Sequence, residues 1–377
     1  MMFKLIRKIL KYYIILLIFF IMSCGSMLSK KWRINNLDMI FTATVLEKSQ
    51  KIILTTWNDL ICLSYETGEI LWSNNRFKGY YKPYLLNENE IVCKSDGTIC
   101  VFDIESGSIK KEFNITGFVV SIIVKGYHVY FISKDGQYSG LEVLDTNTSE
   151  IKQLCELEIG DPDGFMQIQN DIIFISHRKS YQFQFKTISA IDCITGKLLW
   201  ERDIFIDQGE KSQTLVFEGD SLYCIDKRKN KYFLNKLNKY TGEKISEFLL
   251  EGKVISHLQY SSGKIGIRGR GGNYLLFDTK TNKFLLIDNN CRFSYLANNV
   301  VTIVNSNRIL EYDIFTGELK KSYITPFDIN TCSKIFYQAG KNKLIAVVDT
   351  KKTGEPYFKY KMVLLVDPDP TPPFDHP

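Results

Sequence analysis

The chain has 377 residues, of which 45% are apolar and 24% charged, and a formal net charge of +6. Four of those positive charges, Lys4, Arg7, Lys8 and Lys11, fall in an N-terminal segment that reads as removable, which leaves about +2 on the remainder. A charge that small excludes an electrostatic nucleic-acid binder.

The basic start is followed by an apolar run from Tyr12 to Met22. That run is short for a membrane span and suits a secretory signal. It ends in Ile21-Met22-Ser23-Cys24-Gly25, which resembles a bacterial lipobox: an aliphatic residue, a variable one, a small one, then the cysteine that carries the acyl chains. The resemblance implies a signal peptide over 1–23, lipidation (palmitate-type acyl chains) on Cys24 and a tethered linker over 24–30. Gly25 after the cysteine, with no Asp there, implies forwarding to the outer membrane, facing the periplasm.

Beyond the linker, Lys31-Trp32-Arg33-Ile34 reads as a strand. Then, seven times, the chain writes one phrase: usually Asp or Asn, two variable positions, Thr or Ser fourth, and usually Gly fifth. The copies begin at Ser64, Asp103, Asp145, Asp192, Asn238, Asp278 and Asp313. Asp or Asn caps nearby amides, and Gly or Asn enters the left-handed region cheaply, so each phrase is a tight turn between strands. Starts about 35 to 47 residues apart indicate a repeat architecture.

Upstream of the phrases lie eight aliphatic runs, one more than the phrases: 52–54, 91–93, 129–132, 172–175, 222–225, 265–267, 300–304 and 344–348. Further apolar stretches such as 41–45, 118–124, 215–217 and 335–337 precede most of them. No segment shows a capped 3.6-residue apolar period. The fold class expected is therefore all-β, a propeller of four-stranded antiparallel blades over 31–367. The last repeat has runs 344–348 and 362–366, but Asp367-Pro368-Asp369-Pro370 cannot supply its outer strand. Eight blades are expected, the N-terminal strand completing the last, with seven as the runner-up. Residues 368–377 hold five of the nine prolines and read as an extended disordered tail.

Thr67-Gly68-Glu69-Ile70-Leu71-Trp72, Thr195-Gly196-Lys197-Leu198-Leu199-Trp200 and Ser95-Asp96-Gly97-Thr98 resemble the pyrroloquinoline-quinone-type propeller repeat. The similarity spans roughly Trp32 to Asp367 and is worn in the third and sixth copies. Trp32, Trp72 and Trp200 share an outer position in their blades, which suggests packing between sheets. The quinoprotein dehydrogenases of this repeat imply adjacent bridged cysteines, a catalytic Asp and calcium. No two cysteines are adjacent here, so the pattern does not carry over.

Other chemistry is thin. The recurring aspartates share one turn position and read as turn chemistry. His128, His177, His257 and His376 have no ligand spacing, and Asp161-Pro162-Asp163-Gly164 lacks the downstream Glu of a calcium loop. Gly269-Arg270-Gly271-Gly272 opens no helix and reads as a glycine hairpin. If Asp96-Gly97 is a two-residue turn, Cys93 faces Cys100 across the ladder. The pair is then either a cross-strand disulfide or two free core thiols.

No catalytic, cofactor-binding or metal residue is assigned, and no cofactor is expected. The expected function is a non-enzymatic protein-interaction scaffold in the cell envelope, resembling the propeller lipoproteins of the outer-membrane β-barrel assembly machinery. Its expected partners are envelope proteins, among them an outer-membrane β-barrel component, and the membrane through lipid on Cys24. The alternatives are a quinone-dependent dehydrogenase or degenerate cofactor-binding relative, and a sugar- or peptide-binding propeller.

Overall fold

In the computed structural model, residues 26–27, 29–37, 40–46, 48–77, 82–95, 97–136, 138–158, 165–178, 185–205, 215–251, 254–269, 272–297, 299–305, 308–324, 332–338, 343–349 and 360–366 are described. Every regular element among them is a strand.

Two strands precede the repeats, β1 (Ser26–Met27) and β2 (Ser29–Leu37). Blade 1 follows as β3 (Ile40–Leu46), β4 (Lys51–Thr56), β5 (Leu60–Ser64) and β6 (Ile70–Asn74). Blade 2 is β7 (Tyr84–Asn87), β8 (Glu90–Ser95), β9 (Thr98–Asp103) and β10 (Ile109–Asn114). Blade 3 is β11 (Phe118–Lys125), β12 (His128–Asp135), β13 (Tyr138–Asp145) and β14 (Ile151–Leu157). Blade 4 is β15 (Phe165–Gln169), β16 (Ile172–His177), β17 (Phe185–Asp192) and β18 (Leu198–Phe205).

Blade 5 is β19 (Val216–Glu218), β20 (Ser221–Arg228), β21 (Lys231–Asn238) and β22 (Lys244–Leu250). Blade 6 is β23 (Val254–Ser261), β24 (Lys264–Gly269), β25 (Tyr274–Asp278) and β26 (Lys283–Asp288). Blade 7 is β27 (Phe293–Ala297), β28 (Val300–Val304), β29 (Arg308–Asp313) and β30 (Leu319–Ile324). The chain then ends in β31 (Cys332–Gln338), β32 (Lys343–Asp349) and β33 (Tyr360–Val366).

The expectation of eight like blades is corrected. Blades built from contiguous chain number seven, the runner-up count, one for each phrase. The remaining sheet is of another kind, with order β2-β33-β32-β31 and strands from both ends of the chain. The reason is local: the last repeat carries no phrase and meets Asp367-Pro368 where an outer strand would start, so its outer edge pairs with the N-terminal segment. Trp32 stands opposite Leu364 in that ladder. A second difference concerns the linker, where Ser26 and Met27 pair in parallel with Tyr323 and Ile324 on the outer edge of β30.

Within each blade the chain runs from the axis outward. First strands of neighbouring blades touch one another, as β7 with β11 and β19 with β23, whereas fourth strands such as β6 and β10 are largely exposed. Second and third strands are buried on both faces, which is why they read as unbroken apolar runs. Ile52 and Leu54 of β4 face one cluster with Leu63 and Ile34, while Ile53 between them faces Ile91, Cys93 and Phe102 of blade 2. The core is thus a series of layers between blades, not a single centre.

The phrase explains how each blade is finished. Its fifth residue has positive φ in all seven copies, from 58° at Asn282 to 75° at Gly68. Its second residue donates its N–H to the carbonyl of the turn between the first two strands, for example Ile104 to Asn89 and Lys239 to Asp220. Both turns therefore lie on one side of the disc and brace each other.

Candidate interaction surface

On this turn side, each phrase is locked by its first residue. Asp192 Oδ1 accepts from the N–H groups of Ile194 at 3.1 Å and Thr195 at 2.7 Å, and Asp313 Oδ1 from those of Phe315 at 2.7 Å and Thr316 at 3.0 Å. Asn238 does the same for Tyr240 at 2.8 Å. The recurring aspartates are turn caps, as their shared position implies, and not a carboxylate site.

Locking holds the third residue of the phrase out into solvent. In three copies that residue is apolar or aromatic: Ile194, Tyr240 and Phe315, with 68%, 45% and 57% of their surface exposed. Tyr127, in a first turn on the same side, is 50% exposed. A cation lies over two of the rings, Lys239 Nζ at 4.8 Å from Tyr240 and Lys264 Nζ at 5.8 Å from Phe315. Side chains held rigidly and left uncovered are what a docking surface requires. The sequence reading missed them because the third position varies; apolar occupancy in three of seven copies was the available signal.

Between blades, the outer strand of one grips the phrase of the next. Trp72 Nε1 donates to Ile104 O at 2.9 Å and Trp200 Nε1 to Lys239 O at 2.9 Å, each a second-position carbonyl. The rings lie on the fifth-position glycine, so a Cβ on Gly242 would stand 2.6 Å from the Trp200 ring. In the worn third copy the pattern is kept by other means. Lys111 replaces the tryptophan and its Nζ donates to Thr146 O, and with no ring there Ser149 takes the fifth position at φ 66°. Trp32 is the third of the set by sequence, but its side chain lies outside the described residues.

Blade 6 departs further. In the blades whose phrase ends in glycine, the fourth strand bulges just after the phrase, with Leu71 or Leu199 as the extra residue, whereas the phrase of blade 6 ends in Asn282. In blade 6 the bulge is displaced to between Tyr274 and Leu275, so Leu285 sits opposite Leu276 and presses on Gly317 of blade 7. Phe284, Leu285 and Leu286 are left 37%, 41% and 50% exposed in succession.

The remaining sequence candidates fall as follows. Cys93 is paired with Cys100 and Ser95 with Thr98, the register expected of the turn. Both are free buried thiols in this structure, and burial pushes Cys100 up to about 11 and Cys93 well above the usual thiol range. Cys62 and Cys224 are likewise buried and pushed up to about 12. His177 is buried, with Nε2 2.9 Å from Ser189 Oγ, which donates its one proton to Glu201 at 2.8 Å. The imidazole therefore donates to the hydroxyl. The relay from His177 through Ser189 to Glu201 ties β16, β17 and β18 together within blade 4. His128 pairs with Asp145 at 3.6 Å on the turn side.

Around the glycine run, Gly269 N–H donates to Asn273 O at 2.7 Å, a hairpin and not a phosphate cradle. Cys24, Asp161 to Gly164, Arg270, His376 and the proline-rich tail lie outside the described residues. Among the described residues no group of three or more His, Cys, Asp or Glu could hold a metal, and no helix is long and apolar enough to cross a membrane. The residues present do not fit the quinone and calcium set of the dehydrogenases: the cysteines are separated and the repeated aspartates are engaged in turns.

One electrostatic prediction arises from these turns. The amide of Ser106 and then Lys110 hold Asp103 down at about 2, and Lys264 and Lys320 lead the same effect on Asp278 and Asp313. A carboxyl whose folded value is depressed stabilises above its unfolded value near ~3.9 and loses that contribution as pH falls through the folded one. Asp103→Asn keeps the Oδ1 acceptor and removes the charge. Thermal unfolding should show the wild type ahead of this variant above pH 4, with the gap closing by pH ~2. A gap that persists to pH 2 would contradict the assignment.

The comparisons with known proteins agree with this geometry. The family described as outer membrane protein assembly factor BamB matches residues 29–113, which run from β2 through the first two blades. No curated protein matches the chain. Among solved structures, BamB from Moraxella catarrhalis is similar at 16% identity, with TM-score 0.51, covering 78% of this chain and 89% of that one. The computationally designed Ika8 protein is similar at 13% identity, TM-score 0.62, covering 88% and 97%. The quinohemoprotein alcohol dehydrogenase from Comamonas testosteroni is similar at 12% identity, TM-score 0.59, covering 89% and 76%. Identities this low speak to fold alone. In fold and repeat the chain is a β-propeller of the pyrroloquinoline-quinone type, similar over its N-terminal strand and first two blades to the BamB assembly factors.

Proposed function

We propose that the chain is a membrane-tethered, non-enzymatic scaffold of the cell envelope. Cys24 carries the lipid, the outer membrane holds it on the periplasmic side, and the sheet of β2 with β31 to β33 joins an N-terminal strand to the last three. The turn side then receives a protein partner, an outer-membrane β-barrel component being the class that the sequence resemblance implies, and the matched family's description as an outer membrane protein assembly factor supports it. The observation that carries this reading is the set of exposed tips, Ile194, Tyr240 and Phe315, on turns that their own Asp or Asn hold rigid. A surface pre-organised in this way loses little side-chain freedom on binding.

The test is cross-linking in the native envelope followed by identification of the captured barrel component. The triple variant Ile194→Ser, Tyr240→Ser and Phe315→Ser should lose about tenfold or more in capture, as hot-spot residues do, with its unfolding midpoint unchanged. Capture that survives the triple change would place the partner elsewhere. Dye reduction on adding the quinone and calcium to purified protein would replace the scaffold reading with the dehydrogenase one.

A further inference from the structure

The outer rim is not uniform around the disc. Fourth strands β6, β10, β14, β18 and β22 carry either no charge or both signs in near balance: ILWSN, IKKEFN, IKQLCEL, LLWERDIF and KISEFLL. On blade 6 the strand reads KFLLID, one lysine and one Asp, and on blade 7 LKKSYI, two lysines and no acid, of which Lys320 pairs with Asp313 on the neighbouring strand. That Asp288 accepts the Tyr312 hydroxyl at 3.1 Å and sits at the strand's end. The same stretch of rim exposes Phe284, Leu285 and Leu286, three in a row where β6 exposes Ile70 and Leu71 and β18 Leu198 and Leu199, and it exposes Leu319 at 52%. Apolar residues flanked by lysines are the composition of a surface that rests on the headgroups of a bilayer.

A second, independent observation leads to the same place. β1 runs parallel to β30 on its outer edge, Ser26 opposite Tyr323 and Met27 opposite Ile324. Ser26 is two residues beyond Cys24. A tether at Cys24 can reach at most roughly 7 Å beyond Ser26, so it leaves the disc at the rim of blade 7, beside the apolar edge of blade 6.

We infer that the rim formed by β26 and β30 lies against an anionic phospholipid surface. The disc stands edge-on to the bilayer, and its turn side faces along the membrane, clear of lipid. The orientation rests on the tether reading above; the affinity of the rim for lipid does not.

The experiment has two arms. In the first, the full chain is reconstituted in vesicles containing a photoactivatable phosphatidylglycerol, and adducts are mapped by mass spectrometry. Adducts on 283–288 and 319–324 are expected; adducts on the tips at 192–196 and 238–242, or spread evenly round the rim, would overturn the inference. The mass of the N-terminal peptide reports acylation of Cys24 in the same sample, so a missing tether is recognised separately. In the second arm the Cys24→Ala chain is mixed with phosphatidylglycerol and with phosphatidylcholine vesicles. Binding to the anionic vesicles only is expected, weakened roughly fivefold by Lys283→Gln and further by Leu286→Ser, both at exposed positions. Equal binding to both lipids, indifference to these changes, or a dimer in sedimentation that buries the rim would each refute it.

Discussion

Replacing Trp200 by Ala is expected to lower the free energy of unfolding by about 3–5 kcal/mol, measured by urea denaturation, the range for deleting a large buried aromatic. The ring is only 8% exposed, packs beside Phe174 at 6.0 Å and covers Gly242. Its Nε1 also satisfies the Lys239 carbonyl at 2.9 Å. Trp200→Phe separates the two contributions: it keeps most of the ring and removes one hydrogen bond, a loss of about 1 kcal/mol. Should Ala and Phe cost the same, the ring would contribute nothing and the seam between blades 4 and 5 would be held by the hydrogen bond alone. Trp72, half-buried, should show the same order with smaller values.

The second large effect is at Gly196. Its φ is 74°, and a Cβ there would stand 2.7 Å from the carbonyl carbon of Leu154 in blade 3. Gly196→Ala therefore meets two penalties, about 1–2 kcal/mol for a side chain in the left-handed region and about 1–3 kcal/mol for overpacking. The obstacle is backbone, so no side-chain deletion relieves it. Gly242→Ala offers the contrast, since there the obstacle is the Trp200 ring. A double-mutant cycle should find Trp200→Leu partly rescuing Gly242→Ala, whereas Leu154→Ala leaves Gly196→Ala as damaging as before. Rescue in neither case would show that the glycines are required for φ alone, and rescue in both that the Leu154 side chain also fixes the approach to Gly196.

The repeat was legible because burial imposes the same demands seven times. Second and third strands lie between two neighbours, so 52–54 or 172–175 must be continuously apolar, and the turn that follows must supply a cap and a left-handed residue. Less legible was whatever depends on one blade meeting the next. Lys111 does the work of Trp72 and Trp200, yet in sequence it is one lysine of a polar strand. The displaced bulge of blade 6 changes which residue presses on Gly317, and the residue string KFLLID does not reveal it. The tips Ile194, Tyr240 and Phe315 occupy the position the phrase leaves variable, where a surface role leaves no periodic trace. The count of blades went astray for a related reason: eight aliphatic runs are present, but only seven have the turn that makes a blade of contiguous chain.

The sheet that joins β2 to β33 also bears on how the molecule comes into being. Ser29 stands opposite Val366, so the seam joins segments that lie far apart in the sequence. Local hairpins can form as each segment emerges, but this last ladder must wait until β33 has been made, and long-range pairing of that kind is slow. Until then β2 and β33 are both unsealed edges, open to whatever extended peptide is nearby. Closure of this ladder as the final event is the order of assembly this topology permits.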